Sequence, residues 1–543
     1  MADLVANSGA PLPLAYERRT LETDVQLSQS VIWRLQRDFY VQRGLKAWTE
    51  DMVPAYITNN PFMAEIYADI VAGFLDDCMN SSPAESQPLS PENPLRILEL
   101  GAGTGKFSYL FLRKLTALLE ARKISPRILR YSMADCSESL LADWRANPCL
   151  AEFAANGILE FHLHRAEDTA YEEAPEAASG SSGHGSAPLV VIANYVFDSL
   201  PQDAFIISNG DISEALVTTS TRESGVPALA GLQLSFKNAS LAAQRYHDKS
   251  WNDILDHYRS HVPEATVLFP SAALRTLQQV NHTSDGRMLV LAADKGFTRE
   301  EDLAFLKGPP ALEFHAANNC FSQMVNFDAI ARYFYAMDGD ALFPQKRFSS
   351  LNICAFLTPG TGNGFPATKA AYRDKLNAFG PDDLFALMNW LNSHLEEVSV
   401  VQALALLRLT RWDPTALLRL FPVIAPQLRS VTAERTDLRN AILSTWANRY
   451  PISPADKVLA FNCGVILLEL RFFAEALPLF QASEQQFGRS APTSYNLGLC
   501  ALGLGRSEQA LAFMVEACNL DPAFAPAQQS RLTLEQKTAA DSR

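Results

Sequence analysis

Apolar and polar positions change period several times along this chain of 543 residues. Between residues 21 and 80 the spacing is helical: Trp33, Leu35, Phe39 and Tyr40 share one face, and Phe62–Leu75 carries another. Leu95–Lys106 then reads LRILELGAGTGK. Ile97, Leu98 and Leu100 form a short apolar run that breaks into Gly101, Gly103 and Gly105, and Phe107–Leu119 is helical again. That order predicts a buried parallel strand, a glycine turn and a helix. Arg127–Trp144 predicts a second strand ending at Asp135 and a helix opened by Ser137. Gly157–Asp168 predicts a third strand ending in Glu167 and Asp168. Leu189–Asn194 predicts a fourth, followed by a turn carrying Asp198 and Pro201. Strands alternating with helices predict an α/β domain over 94–357.

After a Gly-, Pro- and Thr-rich linker at 358–367 the pattern stays helical to the end. Asp413-Pro414 and Ser453-Pro454 each place a cap before a first-turn proline. Asn462 and Asn496 are 34 residues apart, as are Gly464 and Gly498, Ala476 and Ala510, and Leu477 and Leu511. This is the tetratricopeptide (TPR) period, and Leu497, Gly498, Ala510, Ala517 and Pro522 resemble the TPR pattern. Two such units rarely stand alone, so degenerate repeats are expected before them and a cap at 524–537. The expected organisation is an N-terminal helical segment and linker (1–93), the α/β domain (94–357), a helical region of degenerate repeats (368–450), and TPR repeats with a capping helix (451–537). Residues 1–20 read as loose, Ser81–Asn93 as a linker, and Glu172–Pro188 as a low-complexity loop.

The net charge of −14 argues against an extended nucleic-acid footprint. No run approaches the length of a membrane span. The N-terminus lacks both a basic start and a long apolar core, so a cytoplasmic location is expected. Eight cysteines include no C-x-x-C pair, which favours free thiols. Cys320 has no evident partner base and reads as structural. His162 and His164 share one strand face, but two ligands do not make a metal site, and none is expected.

Glycines at a strand-to-helix turn let backbone approach a ligand closely. The helix N-terminus behind them offers free N–H groups to an anion. A dinucleotide turn would place its third glycine one position later, and a Walker loop would need Ser or Thr where Phe107 stands. The E-x-G-x-G-x-G form, with Glu99 inside the strand, resembles motif I of class I S-adenosylmethionine (SAM) methyltransferases. The resemblance implies a Rossmann-like SAM-methyltransferase domain beside the TPR-like helical domain. It sets Glu99, Gly101, Ala102, Gly103 and Gly105 near the methionine part of SAM, Asp135 on the ribose hydroxyls, and Glu167 or Asp168 near the adenine. Read alone, Asp135 also fits a helix cap, and the acid pair fits solvated loop charge.

Leu189–Phe205, LVVIANYVFDSLPQDAF, resembles the N-E-x-x-D-A-L-P signature of MidA-type methyltransferases. Asn194, Asp198, Leu200 and Pro201 match, while Tyr195 replaces Glu and Ser199 replaces Ala. Pro54–Val71, Arg287–Phe297 and Asn318–Ile330 resemble further family segments in order, with Lys295 replacing Tyr and Asn326 replacing an acid. The resemblance spans roughly residues 30–357. It implies SAM as cofactor, Thr58 and Asn59 near it, the N-terminal helices over the crevice, and Asn194 and Asp198 in catalysis, with Asn194 also at the cofactor.

The expected function is methyl transfer to a protein side chain, arginine being one candidate. A guanidinium needs carboxylates around it. Glu is lost at 195, which leaves Asp198 and, nearby, Asp203. Catalysis would rest on positioning, with Asp198 orienting the acceptor or taking its proton. The plainer reading makes Asn194 and Asp198 an Asx turn. The TPR region would recruit a protein substrate or partner, or only pack and dimerise, so an oligomer stays open. Two alternatives remain. One is a small-molecule methyltransferase with Tyr246, Trp251 and Tyr258 lining its pocket. The other is a non-catalytic scaffold acting through the repeats.

Overall fold

A computed structural model describes residues 18–50, 52–53, 56–80, 88–164, 187–225, 227–241, 244–315, 320–345, 351–359, 364–452 and 458–541. The helical pattern expected from residue 21 begins later than that. Strand β1 (Arg19–Val25) comes first, because Thr20, Thr23 and Val25 suit a pleated edge. Helices α1 (Val31–Arg43), α2 (Lys46–Thr49) and α3 (Pro61–Met79) follow. The Asn60 side chain accepts from the Met63 N–H at 2.9 Å, and Pro61 occupies the first turn of α3.

The next strands are β2 (Leu95–Leu100), leading into helix α4 (Lys106–Ala121), then β3 (Leu129–Asp135), β4 (Leu159–Leu163) and β5 (Leu189–Asn194). β6 (Asp203–Ser208), β7 (Asp211–Thr221), β8 (Leu232–Ser240) and β9 (Glu264–Phe269) come next, then β10 (Met288–Asp294), β11 (Asp340–Leu342) and β12 (Asn352–Leu357). The main sheet has the order β11-β12-β10-β5-β2-β3-β4. Strands β10, β5, β2, β3 and β4 run parallel, while β12 is antiparallel to β10 and β11 antiparallel to β12. From β2 the chain steps outward to β3 and β4, then returns to β5 on the other side. That reversal opens a crevice beyond the C-terminal ends of β2 and β5.

Both sheet faces are covered, and strand periodicity sorts side chains between them. Ile97, Val190, Ile192, Leu289 and Leu291 enter the core shared with α3, α4 and the C-terminal helices. Their neighbours Leu98, Val191, Val290 and Ala292 enter the opposite core, with helices Lys249–His261 and Ser271–His282. β1, β6, β7, β8 and β9 form a separate antiparallel sheet, β8 and β1 flanking β7. Tyr246, Trp251 and Tyr258 pack in the core beside this sheet, against Phe269 or around it.

Beyond residue 366 the described elements are all helical. Helix Pro366–Leu376 docks on α3, where the Asp77 carboxylate accepts the Ala367 and Thr368 N–H groups at 3.0 and 2.8 Å. Asp413 accepts from the Thr415 N–H at 3.0 Å, with Pro414 in the first turn. Ser453-Pro454 lies outside the described residues, as does nearly all of Glu172–Pro188. Five helices close the fold: Leu459–Glu469, Phe473–Phe487, Ala491–Gly503, Ser507–Leu520 and Ala525–Asp541.

The 34-residue spacing recurs in the packing. A Cβ on Gly464 would stand 2.9 Å from the Phe480 ring, and a Cβ on Gly498 2.7 Å from Met514 Cε. Phe480 is fully buried and cannot swing away. Gly464→Val should therefore cost about 1–3 kcal/mol by overpacking, read as a lower midpoint of urea unfolding. An unchanged midpoint would mean that the two helices are not in this close contact. Among the described residues no helix is long and apolar enough to cross a membrane.

Candidate active site

The crevice at the β2/β5 reversal is a cavity of about 380 Å³. Its floor is the glycine turn. Gly101, Gly103 and Gly105 have φ of 64°, 53° and 76°, a region that side chains with a Cβ resist. The turn is tied down on several sides. Asp135 Oδ2 accepts the Gly103 N–H at 3.1 Å, and the Trp144 indole donates to the Gly103 carbonyl at 2.9 Å. Asn59 donates to Thr104 Oγ1 at 2.9 Å.

Asp135 also accepts the Cys136 N–H at 2.7 Å, and burial raises its pKa above the usual carboxylate range. The helix after it starts at Glu138 with Ser137 as N-cap, so Asp135 serves the glycine turn and does not cap that helix. Glu99 accepts from Tyr131 at 2.7 Å and from Ser108. Burial pushes its carboxyl up to about 7.

Of the residues singled out in the sequence, Thr58, Glu99, Gly101, Ala102, Gly103, Asp135, Asn194 and Asp198 all line this one cavity. Gly105 does not: a Cβ there would meet the Tyr450 hydroxyl at 2.8 Å and Met133 Cε at 2.9 Å, so it faces packed protein. Glu167 and Asp168 lie outside the described residues.

The other end of the cavity is built by the turn after β5. Asp294, at the tip of β10, accepts the N–H groups of Val196, Phe197 and Asp198 at 3.2, 3.0 and 3.4 Å. Burial, reinforced by the nearby Asp198 charge, raises the Asp294 pKa well above its ordinary value. This cradle, and no Asx bond, shapes the turn. Asp198 is buried, its Oδ1 accepts from Ser199 at 2.9 Å, and burial pushes its carboxyl up to about 6 against the opposing pull of Lys295. Asn194 Oδ1 accepts from the Tyr67 hydroxyl at 2.7 Å, and Asn194 Nδ2 is buried without a hydrogen-bond partner.

Helices α1 and α2 supply Trp33, Gln36, Arg37, Tyr40 and Trp48 to the cavity wall. Gln36 is fixed by accepting the Phe321 N–H at 2.9 Å. Trp33 and Tyr40 were legible as one apolar helix face, though nothing in the sequence distinguished a cavity wall from core. Cys320 also lines the cavity, although the sequence suggested only a structural role. Burial pushes its thiol up to about 11, so it is no ready nucleophile. Asp203 lies apart from the cavity lining, held by the Tyr246 hydroxyl at 2.7 Å. The aromatics at 246–258 are likewise absent from that lining.

Residues 84–323 match a family model described as "Putative S-adenosyl-L-methionine-dependent methyltransferase". SAM is therefore the cofactor of this region. No curated protein matches the chain. Among solved structures, an "uncharacterized ACR" superfamily protein from Burkholderia thailandensis is 16% identical with a TM-score of 0.39, over 64% of this chain and 90% of that one. A second Burkholderia thailandensis protein, titled a "likely methyl transferase" and bound to S-adenosyl-homocysteine, is 15% identical with a TM-score of 0.40, over 63% of this chain and 89% of that one. A MamA RS-1 double mutant is 20% identical with a TM-score of 0.24, over 29% of this chain and 90% of that one.

The cavity's chemistry suits SAM. Its amino-acid end carries an ammonium donor and a carboxylate acceptor. The buried atoms of the cavity lining that lack a partner include an acceptor, Asn59 Oδ1, and a donor, Asn194 Nδ2. Buried polar atoms left unpaired are costly, so a ligand that meets both is favoured. Asp135 accepts the Gly103 and Cys136 N–H groups and retains lone-pair capacity for a hydroxyl donor.

Proposed function

We propose that the chain is a SAM-dependent methyltransferase whose acceptor is a protein side chain, and that its TPR-like C-terminal helices recruit that protein or a partner. The strand order of the main sheet, with its crevice at the β2/β5 reversal, supports a Rossmann-like reading of this domain. The observation that carries it is the single cavity joining the glycine turn to Asp198.

Bound SAM supplies an electrophilic methyl group on a sulfonium. The chain's own contribution is mostly placement. The glycine turn, Asn59 and Asn194 hold the cofactor end. Trp33, Tyr40 and Trp48 cover the cavity and keep bulk water out. Asp198 would face the acceptor, and its carboxylate would take the proton that an N–H or O–H nucleophile gives up. Lys295 keeps part of that carboxylate ionised. Asp198 is the one carboxylate from the turn after β5 that reaches the cavity, since Asp203 is engaged elsewhere. An amine or hydroxyl acceptor needs no more than that, and a guanidinium would be gripped by this carboxylate alone.

The test is transfer of labelled methyl from SAM to a cell extract by the full-length chain, followed by separation of protein from small molecules. Label in protein supports the proposal. Label in small molecules alone would overturn the acceptor class. No transfer despite SAM binding would favour the scaffold reading.

A further inference from the structure

The helical region beyond residue 366 reaches the glycine turn from the side away from the cavity. Tyr450 is 2% exposed, and its hydroxyl donates to the Thr104 carbonyl, inside the glycine turn, at 2.9 Å. That hydroxyl fills the space left by the missing Cβ of Gly105. The Tyr450 ring leans on Tyr109 of α4, with centroids 5.5 Å apart. Arg113, one turn further along α4, donates to the Ala447 carbonyl and to Asn448 Oδ1. Asn448 in turn donates to the carbonyls of Arg411 and Trp412 at 2.9 and 3.0 Å.

The start of α3 and the segment before it are gripped as well. The Tyr56 hydroxyl donates to Asp413 Oδ2 at 2.7 Å, and the Arg411 guanidinium lies 2.7 Å from the Glu65 carboxylate. Asn59, between these contacts, bonds the Thr104 side chain. Two short segments, 411–413 and 447–450, thus hold α3, α4 and the glycine turn between them.

We infer that Tyr450 is a positioning residue for the cofactor site, through which the helical region sets the glycine turn; this rests on the SAM reading of that turn. A buried carbonyl needs a partner. Without the Tyr450 hydroxyl, the Thr104 peptide must recruit water or rotate, and rotation shifts the Gly103 and Thr104 backbone that lines the cavity. The coupling is reciprocal. SAM tightens the docking of 447–450, and a partner bound to the helical region changes SAM affinity.

Tyr450→Phe in the full-length chain removes one hydroxyl and keeps the ring. Hydrogen exchange in the peptide covering 101–106 should rise about tenfold while β2 stays protected, and S-adenosyl-homocysteine (SAH) affinity should fall about fivefold. The KM for SAM should rise with kcat at saturating SAM unchanged. In the wild-type chain, SAH should slow exchange at 447–450. Asn448→Ala, which loosens the same anchor from outside the turn, should give a smaller change of the same sign. Wild-type exchange at 101–106 in both variants would overturn the inference. So would a uniform rise in exchange with SAH affinity retained, which marks a purely structural role. The exchange readout needs no ligand, so failure of the wild-type chain to bind SAH would sink the cofactor reading and leave Tyr450 to be judged by turn exchange.

Discussion

Replacing Gly103 with valine should reduce SAH affinity at least a hundredfold, about 2.7 kcal/mol, while leaving the fold intact. Gly103 sits at φ of 53°, where a β-branched residue is strained. A Cβ there would stand 3.2 Å from the Trp48 ring. The peptide cannot slide to relieve this, because Asp135 holds its N–H and Trp144 holds its carbonyl. The turn must deform, and it deforms at the face that receives the cofactor. Calorimetric titration with SAH, beside a thermal melt to confirm folding, decides the matter. Gly103→Ala should fall between the two, with the φ strain but less bulk. Near-wild-type affinity in the valine variant would remove the glycine turn from the cofactor site.

Most of the glycine-turn end of the cavity could be read from the chain because its parts are local in sequence. The acid, the glycines and the following helix lie within a dozen residues, and one strand-turn-helix pattern predicts them together. Asp135 was legible as a carboxylate at a strand tip, but its bond to Gly103 was not, since nothing local says which neighbouring turn a strand tip meets. The Asp198 end was harder. Asp294 stood out only as part of a family-like segment, and its role as a cradle for three N–H groups depends on β10 lying beside β5. Tyr67 stood out only as part of a helical, family-like segment and Tyr450 carried no signal, because each meets its partner through tertiary packing from far away in sequence. The aromatics at 246–258 misled for the complementary reason: burial in a core and exposure to a cavity give the same apolar pattern. β1 was missed because a short edge strand with polar positions lacks the long alternation that separates strand from helix.

Asp198→Asn should lower the rate of methyl transfer by about 10²–10⁴ and leave SAH affinity within about threefold of wild type. Asparagine keeps the shape of the side chain and can still meet Ser199, so the turn cradled by Asp294 has no reason to collapse. It cannot accept the acceptor's proton. The pH dependence sharpens the test. Burial holds the Asp198 carboxyl at about 6, and only the ionised form is a base. At pH 5 about nine-tenths of the enzyme carries the proton and is idle, so kcat should rise with pH through 6 and level off above 7. The Asn variant should lose that rise along with the rate. Asp294 does not substitute for it: its Oδ2 is spent on three backbone N–H groups, and its own pKa is raised further, which favours its neutral form. A rate unchanged in Asp198→Asn would move proton removal to bulk water and make Asp198 an orienting group. Loss of SAH binding together with activity would make it part of the cofactor end.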